Sequence, residues 1–502
     1  MTMPPRASET ILALDQGSSR SRAVLFDAAG RILSRAEAPV RTYYPNPGWV
    51  EHDPEEIFES AASAARRALR GSRRREKPPA ALGIANQRST FILWDGQSGK
   101  PLAPAISWQD LRAAGTIQKW DRPDFVRKTG LPLTPYYAAA KLALLLTDLK
   151  RKRISARRLL FGTVNTFLIW RLTEGKVHRT DPTNAARTLL YNIDRGDWDD
   201  DLLRHFKIPR RILPEVAPTQ SFFGEARIDG RRLPITCAVG DQQASLAGLG
   251  GLSRGIANVN YGTGGFFLIN TGPRRLRLPG LLSSVAWSSE RQTTYLVEGT
   301  VNSVGSLFDW LRRLGLLDSD RQIDPLCARS TERIFFIPAL AGLGAPHWDP
   351  KIATTLFGLS RSTGKEELVR GAVEGIAFLM NDIYRIIKEK RDIPVARIIA
   401  SGGASQIDAL VQFQSNLFGK AIFVTNDPES TVRGAAFLAG EQAGVTDRNR
   451  FRFSTIRRKF SPRITEEERK GLCRRWRKSL ALAQAWGERG NGALSSPHPS
   501  KV

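Results

Sequence analysis

Two turns of the chain combine residue types that suit phosphate and metal chemistry. In Asp15-Gln-Gly-Ser-Ser-Arg, a carboxylate follows an apolar run and is itself followed by a glycine and by the hydroxyl residues Ser18 and Ser19. Such a turn directs backbone N–H groups and hydroxyls at a phosphate, while its carboxylate can hold a hydrated Mg²⁺. An ordinary hairpin turn with a capping aspartate is the alternative interpretation.

The second turn, Asn260-Tyr-Gly-Thr-Gly-Gly265, also lies between two apolar runs and can grip a phosphate in the same way. Two such turns, each opening an α/β half of the chain, predict a cleft that binds nucleotide phosphates between two lobes. A third glycine-rich turn, Ser401-Gly-Gly-Ala404, permits the backbone to approach a flat ligand such as adenine closely. On its own, that turn is no more specific than any other pair of glycines.

Asp241 follows an apolar run directly, in Gly240-Asp241-Gln242-Gln243. Carboxylates at the carboxyl ends of strands in α/β folds point into the ligand crevice. A buried aspartate there can accept a hydroxyl proton, which is the chemistry of a general base. The alternative is that Asp241 only caps the following helix.

The elements that must position these residues follow from hydrophobic periodicity. The N-terminal half predicts a helix from Pro54 to about Leu69, with Asp53 as N-cap and Glu56 closing a capping box. The remaining expectations are strands at 11–14, 23–26, 81–85, 91–94, 256–260, 266–270, 397–400 and 421–424, and helices at 138–149, 202–206, 366–390, 408–418 and 432–442. This alternation predicts α/β layers with a mainly parallel sheet. Because 502 residues exceed one core, we expect two large domains.

Composition excludes several classes of protein. The net charge of +26 raises the possibility of a nucleic-acid partner, but the basic residues are scattered in short clusters without aromatic interleaving. A soluble enzyme with an arginine-rich surface is the preferred interpretation, with no nucleic acid bound. No apolar stretch is long enough to span a membrane. The 3 cysteines fit no disulfide framework and favour a reducing, cytoplasmic setting, and the 5 histidines have no metal-ligand spacing.

In addition, the chain resembles the FGGY carbohydrate kinases from Ile11 to about Glu488, and within them the branch that acts on glycerol. The stretches that carry the resemblance include ALDQGSSRSRAV (13–24), NQRST (86–90), GDQQASLAG (240–248), NYGTGGF (260–266) and PALAGLGAPHWDP (338–350). The resemblance implies a two-domain, actin-like (ribonuclease H-like) α/β fold with the nucleotide in a cleft between the domains. It places the N-terminal domain at 1–250 and the nucleotide-binding C-terminal domain at 251–488. The glycine-, serine- and proline-rich composition of 489–502 predicts a flexible tail.

The resemblance also implies roles for individual residues, with ATP and Mg²⁺ as cofactors. The catalytic base would be Asp241, which with Asp15 would also serve the metal. The phosphates and adenosine would contact Asp15, Ser18, Ser19, Arg22, Thr263, Gly264 and Gly403. The acceptor substrate would contact Arg88, Ser89, Trp108, Tyr136, Asp241 and Gln242.

One departure from the family pattern bears on the acceptor. Where the glycerol branch has Arg-Glu, this chain has Arg88-Ser89, and a serine cannot make the charge-assisted bonds that a carboxylate makes to a polyol. The expected reaction is ATP-dependent phosphorylation of a primary hydroxyl of glycerol or a closely related polyol. The alternatives are a larger polyol or a ketose (tetritol, pentitol or pentulose), and a catalytically weak ATP-binding regulator. A homo-oligomer is compatible with the sequence, which does not reveal the assembly.

Overall fold

The computed structural model describes residues 9–72, 78–153, 158–390 and 393–490, with side chains described as far as residue 487. The strands are β1 Thr10–Gln16, β2 Arg20–Asp27, β3 Ile32–Pro39, β4 Glu51–His52, β5 Ala81–Asn86, β6 Phe91–Asp95, β7 Ala105–Ile106, β8 Leu159–Thr163, β9 Arg179–Thr180, β10 Tyr191–Asn192, β11 Asp197–Trp198, β12 Glu215–Val216, β13 Glu225–Ile228, β14 Arg231–Gly240, β15 Ile256–Tyr261, β16 Gly265–Gly272, β17 Leu282–Ser288, β18 Thr293–Val301, β19 Phe335–Ile337, β20 Thr355–Phe357, β21 Arg397–Ser401, β22 Ile422–Thr425 and β23 Ile456–Phe460. The α-helices are α1 Pro54–Gly71, α2 Phe125–Thr129, α3 Ala138–Arg151, α4 Val164–Leu172, α5 Pro182–Ala185, α6 Asp200–Phe206, α7 Asp241–Gly248, α8 Gly305–Arg313, α9 Ile323–Arg329, α10 Lys365–Glu389, α11 Asp408–Phe418, α12 Ser430–Gln442 and α13 Glu466–Gly490.

Two large mixed sheets organise the chain. The N-terminal sheet has the strand order β13-β14-β5-β1-β2-β3, and the C-terminal sheet has the order β17-β18-β16-β15-β21-β22-β23. In the first sheet β1, β5 and β14 are parallel, while β2 and β3 form antiparallel hairpins at one side. In the second sheet, β15, β21 and β22 are parallel and β16 is antiparallel to β15. This arrangement confirms the predicted α/β class, and each half repeats the same pattern of a hairpin followed by parallel strands. The expectation of a mainly parallel sheet is wrong, because hairpins and edge strands make the antiparallel pairings more numerous than the parallel ones in both sheets.

The predicted strands and helices are all present, with ends that move by one to a few residues. One local expectation is wrong, because Glu56 closes no capping box at the start of α1. Asp53 does cap the helix, with its carboxylate accepting the Glu55 N–H at 2.8 Å. The Glu56 carboxylate instead binds Arg41 and the hydroxyl of Tyr43, so a tertiary contact takes the place of the local one.

The domain bounds at residues 250 and 488 stay a prediction, and the position of α12 does not follow them. This helix belongs to the C-terminal half of the sequence, yet it packs on β1, β5 and β14 of the N-terminal sheet and against α7. The expected flexible tail lies almost wholly outside the residues whose side chains are described. Across the described ranges, no helix has the length and apolar character needed to cross a bilayer.

The crossing of α7 and α12 depends on glycines. A Cβ atom added to Gly434 would lie 1.8 Å from the carbonyl oxygen of Ala244, and one added to Gly248 would lie 1.9 Å from that of Ser430. The two helix backbones therefore approach more closely than any larger residue permits. Because α7 begins at Asp241, this crossing fixes the direction in which the aspartate enters the cleft.

We expect Gly434→Ala to destabilise the protein, because the new methyl group must push the two helices apart. Overpacking of this kind costs about 1 to 3 kcal/mol or more, whereas the helix propensity gained by alanine is worth about 1 kcal/mol. Urea unfolding measures the difference. Gly115→Ala is the control, since its added Cβ meets no atom within 4 Å. Equal stability of the two variants would contradict the close crossing.

Candidate active site

The candidate catalytic residues come together at one edge of the N-terminal sheet. Asp15 lies near the end of β1, Arg88 follows β5 and Asp241 follows β14. Since these three strands are parallel neighbours, their carboxyl ends meet at the same edge. The structure therefore brings together Asp15, Arg88 and Asp241, which the sequence separates widely. Asp241 opens α7 with Gly240 in the N-cap position, so it is not the N-cap of that helix.

Arg88 contacts Asp241 and is held in place by a carboxylate from the other half of the chain. Its Nε lies 3.3 Å from Oδ1 of Asp241. Its two terminal nitrogens donate to the carboxylate of Glu298, on β18, at 2.8 and 3.2 Å. Glu298 is fully buried. This fork-to-fork geometry fixes the plane of the guanidinium, with its Nε beside the Asp241 carboxylate.

Sequence reasoning missed Glu298 and its second partner, Arg187. Arg187 Nη1 lies 3.4 Å from Oε2 of Glu298, and its guanidinium carbon lies 5.3 Å from the centre of the Tyr137 ring. A signal was available, because Glu298 stands in the apolar strand Leu296-Val297-Glu298-Gly299 and a charged residue there needs a buried partner. Which partner it takes depends on contacts between residues far apart in sequence.

The carboxylates of Asp15 and Asp241 are close enough to repel each other at a partly exposed edge of the sheet, where the Asp241 side chain is 30% exposed. Burial and the negative charge of Asp241 raise the pKa of Asp15 to about 7, against the opposing effect of Arg22. Burial also raises the pKa of Asp241, while Arg88 and the N–H of Gln242 act in the opposite direction. Two carboxylates that repel each other in this way are a donor set for a divalent cation. Within the described ranges, no group of three or more His, Cys, Asp or Glu side chains could hold a metal.

The first glycine-rich turn touches the expected acceptor side of the cleft. Trp108 Nε1 donates to Oγ of Ser18 at 3.4 Å, and the Ser18 hydroxyl donates to Oε1 of Gln87 at 3.2 Å. Ser19 is exposed beside it. Arg22, by contrast, is held by the Pro428 carbonyl and by the Glu37 and Glu429 carboxylates. Its guanidinium thus joins the two halves of the chain.

The second turn follows β15 and is tied to the start of α7. Thr263 is exposed and Gly264 half-buried, and the Gly262 N–H donates to the Gly264 carbonyl at 2.9 Å. Gln242 links this turn to Asp241, since its Oε1 accepts from Nδ2 of Asn260 at 3.3 Å. The Ser401-Gly-Gly-Ala404 turn lies against the end of β15. There Gly402, with φ of +88°, requires glycine because an added Cβ would lie 2.4 Å from the Tyr261 carbonyl oxygen, whereas Gly403 is exposed with space beside it.

On the acceptor side, Ser89 is buried with a positive φ of 68°, and its hydroxyl donates to the Arg187 carbonyl at 3.1 Å. Trp108 and Tyr136 are half-buried. Asp110 does not face this space, because it is fully buried and its carboxylate binds the Val50 N–H and the Arg112 side chain. The serine hydroxyl is therefore already engaged with the protein's own backbone.

Comparison with known proteins agrees with this geometry. Residues 10–248 match the N-terminal domain of the FGGY family of carbohydrate kinases, and residues 257–443 match its C-terminal domain. The chain belongs to the FGGY family of carbohydrate kinases. This assignment confirms the predicted two-domain, ribonuclease H-like fold and makes the protein a kinase that acts on an alcohol group.

Among its relatives, the glycerol kinases of Thermus brockianus and Bordetella parapertussis are each 40% identical to this chain, over 96% of it and over 99% and 98% of their own lengths. A crystal structure of Plasmodium falciparum glycerol kinase with ADP superposes with a TM-score of 0.87 at 29% identity, covering 95% of this chain and 98% of that one. Gluconate kinase from Lactobacillus acidophilus gives a TM-score of 0.85 at 24% identity, over 96% of this chain and 99% of that one, and shares the fold.

The raised pKa of Asp15 predicts a stability that depends on pH in the absence of ligand. The unfolded chain releases this proton near pH 3.8 and the folded protein near pH 7, so stability falls as the pH rises between those values. Asp15→Asn lacks this ionisation. We expect the variant to be more stable than the parent above pH 7, by on the order of 2 to 4 kcal/mol, and the gain to shrink towards pH 4.

Urea unfolding at pH 8 and pH 5, without nucleotide or divalent cation, measures the effect. Asp148→Asn is the control, since that side chain is 59% exposed on α3. If the gain from Asp15→Asn is the same at both pH values, Asp15 and Asp241 do not share a buried charge.

Proposed function

We propose that this protein is an ATP- and Mg²⁺-dependent kinase that phosphorylates a primary hydroxyl of glycerol or a closely related polyol. One observation carries the proposal above all. Two residues expected to bind the acceptor each contact another part of the site. Arg88 contacts Asp241, the expected base, and Trp108 contacts Ser18 in the first phosphate turn. An acceptor seated against Arg88 and Trp108 therefore has the base on one side and the phosphate donor on the other. The similarity to glycerol kinases along nearly the whole chain supports the same reaction.

In this proposal Asp241 accepts the proton of the acceptor hydroxyl as its oxygen attacks the γ-phosphorus in line. Oδ1 of Asp241 accepts from the Gln242 N–H at 2.7 Å and lies 3.3 Å from Nε of Arg88, so one carboxylate oxygen is engaged and the other is left for the hydroxyl. Gln242 ties the base to the second turn through Asn260, so the two phosphate turns and the base keep a defined relation. The Asp241 carboxylate can therefore accept the proton without a change in its position.

The triphosphate would lie between the Asp15–Arg22 turn and the Tyr261–Gly264 turn, with the adenosine near Gly402 and Gly403. Ser18, Ser19 and Thr263 supply hydroxyls, and the turns supply backbone N–H groups. Mg²⁺ prefers one or two carboxylates together with water and phosphate oxygens, which fits Asp15 and Asp241 better than a closed protein cage would. When bound, it would neutralise charge that develops on the phosphoryl oxygens.

The residues around Ser89 determine which acceptor the pocket can hold. Arg88, Trp108 and Tyr136 are expected to line the pocket. The O–H of Ser89 is already donated to the Arg187 carbonyl. The volume that a glutamate would occupy in the glycerol branch of the family could accommodate an extra carbon of a tetritol or a pentulose. An ADP-release assay across glycerol, erythritol, threitol, xylitol, ribulose and xylulose identifies the acceptor. The absence of acceptor-dependent ADP release with every compound would overturn the proposal and favour an ATP-binding regulator.

Asp241→Asn tests the base directly. The change keeps the shape of the side chain but removes the proton acceptor, so turnover should fall by about 10² or more. ATP binding, measured by calorimetry, should persist. Asp148→Asn serves again as the carboxylate control and should retain full turnover. Near-normal turnover of Asp241→Asn, with phosphoryl transfer rate-limiting, would show that another group takes the proton.

Ser89→Glu tests the acceptor. If glycerol is the substrate, the new carboxylate beside Arg88 and Arg187 should lower the KM for glycerol roughly 10- to 150-fold, since a hydrogen bond to a charged group is worth about 1.5 to 3 kcal/mol. If a larger polyol is the substrate, the same change should abolish its use and improve glycerol. The backbone at residue 89 already tolerates a side chain at positive φ.

Ser89→Gln is the matched control, because glutamine has the same size as glutamate but no charge. A gain with glutamate alone identifies a charge effect, whereas equal loss of a larger acceptor with both variants identifies a steric effect. If kcat/KM for glycerol and for the best larger acceptor is unchanged in both variants, residue 89 does not face the acceptor.

A further inference from the structure

A buried lysine lies directly behind the expected acceptor pocket. Lys141, on α3, is fully buried. Its ammonium donates to the carbonyl oxygen of Ser107 at 2.8 Å, of Tyr136 at 3.1 Å and of Asp110 at 3.4 Å. The three carbonyls match the three N–H donors of a lysine, so every N–H of this ammonium has a hydrogen-bond acceptor.

These three carbonyls belong to the two segments that carry acceptor-side residues. Ser107 and Asp110 flank Trp108 in the segment that follows β7, and Tyr136 lies just before α3. The Trp108 segment is also held to residues 48–51, since the N–H groups of Ser107 and Leu111 donate to the Val50 and Gly48 carbonyls and the Asp110 carboxylate accepts the Val50 N–H. None of these bonds reaches the Tyr136 segment. Lys141 thus joins the Trp108 segment to the Tyr136 segment through backbone atoms, independently of what side chains stand at 108 and 136.

A role in packing alone does not account for a charged group at this position. Burying an ammonium is costly, and a leucine or methionine would fill the same space without that cost. The cost is visible here, because burial lowers the pKa of Lys141 to about 7 although the charge of Asp110 acts in the opposite direction. Lys141 cannot touch a ligand, since no part of it reaches the surface.

We infer that Lys141 is a positioning residue of the acceptor pocket, whose ammonium fixes the Trp108 and Tyr136 segments relative to each other and so sets the affinity for the acceptor. The inference rests on the proposed function only for the identity of the ligand in that pocket. A misplacement of about 1 Å at binding residues is enough to change rates by about 10². The nucleotide site shares none of these three hydrogen bonds, so its affinity should be independent of Lys141.

The variant Lys141→Met keeps the length and volume of the side chain and removes all three donors. With the best acceptor of the panel, we expect the acceptor KM to rise roughly 10- to 100-fold, while the KM for ATP stays within about twofold. Lys141→Gln retains two N–H donors on a shorter side chain and should have a smaller effect. Lys128→Met is the control: that lysine is mostly buried, binds Asp199 and Asp201, and should lower stability without changing the acceptor KM.

A second measurement needs no acceptor and separates this inference from the proposed function. Hydrogen exchange of the backbone amides should accelerate at 107–112 and 136–138 in Lys141→Met, but not in Lys128→Met. An unchanged acceptor KM together with unchanged exchange in both segments would overturn the positioning role. Faster exchange in a protein that uses no acceptor would support the role of Lys141 and contradict the proposed kinase. If Lys141→Met fails to fold, the same two measurements on Lys141→Gln decide.

Discussion

The fully buried carboxylate of Glu298 is the group on which the geometry of the site depends. It extends from the C-terminal sheet to two arginines of the N-terminal half, Arg88 and Arg187. Neither guanidinium could be retained at such low exposure without a carboxylate partner, because removing one member of a buried ion pair costs about 3 to 5 kcal/mol. The two ion pairs of Glu298 also link the C-terminal sheet to the N-terminal half of the chain.

The same carboxylate helps to set the electrostatics of the proposed base. Burial raises the pKa of Asp241 most and the charge of Glu298 acts in the same direction, whereas Arg88, the Gln242 N–H and Arg187 lower it. Burial also works against the ionised form of Glu298, but Arg187 and Arg88 outweigh it and keep the pKa of Glu298 below its usual value. The ionised Glu298 thus offsets part of the effect that the two arginines have on the pKa of Asp241.

The sequence predicts the framework of the site well and its cross-connections poorly. Asp15 and Asp241 could be placed from their positions after apolar runs, because the ends of parallel strands converge whatever the loops between them do. Arg22 could be named but not oriented, since it is held by partners that local patterns do not reveal. Glu298 lies 210 residues from Arg88, and Lys141 acts through backbone carbonyls that have no side-chain signature. Contacts of these kinds depend on how the two halves pack, which single-sequence periodicity does not encode.

The residues at the strand ends and those beside them have different kinds of partners. This difference explains how the acceptor can change in this fold while the reaction type stays the same. The groups proposed to carry the reaction lie on strand ends and in the ion network of Arg88, Asp241 and Glu298, where a change leaves a charge unpaired. Residue 89 is one position further along, on a left-handed turn, and its side chain makes a hydrogen bond to a single backbone carbonyl. Replacing that hydroxyl breaks no ion pair and moves no strand. A substitution at this position can therefore reshape the expected acceptor pocket while Arg88 keeps its contact with Asp241, so the proposed transfer chemistry is preserved when the acceptor changes.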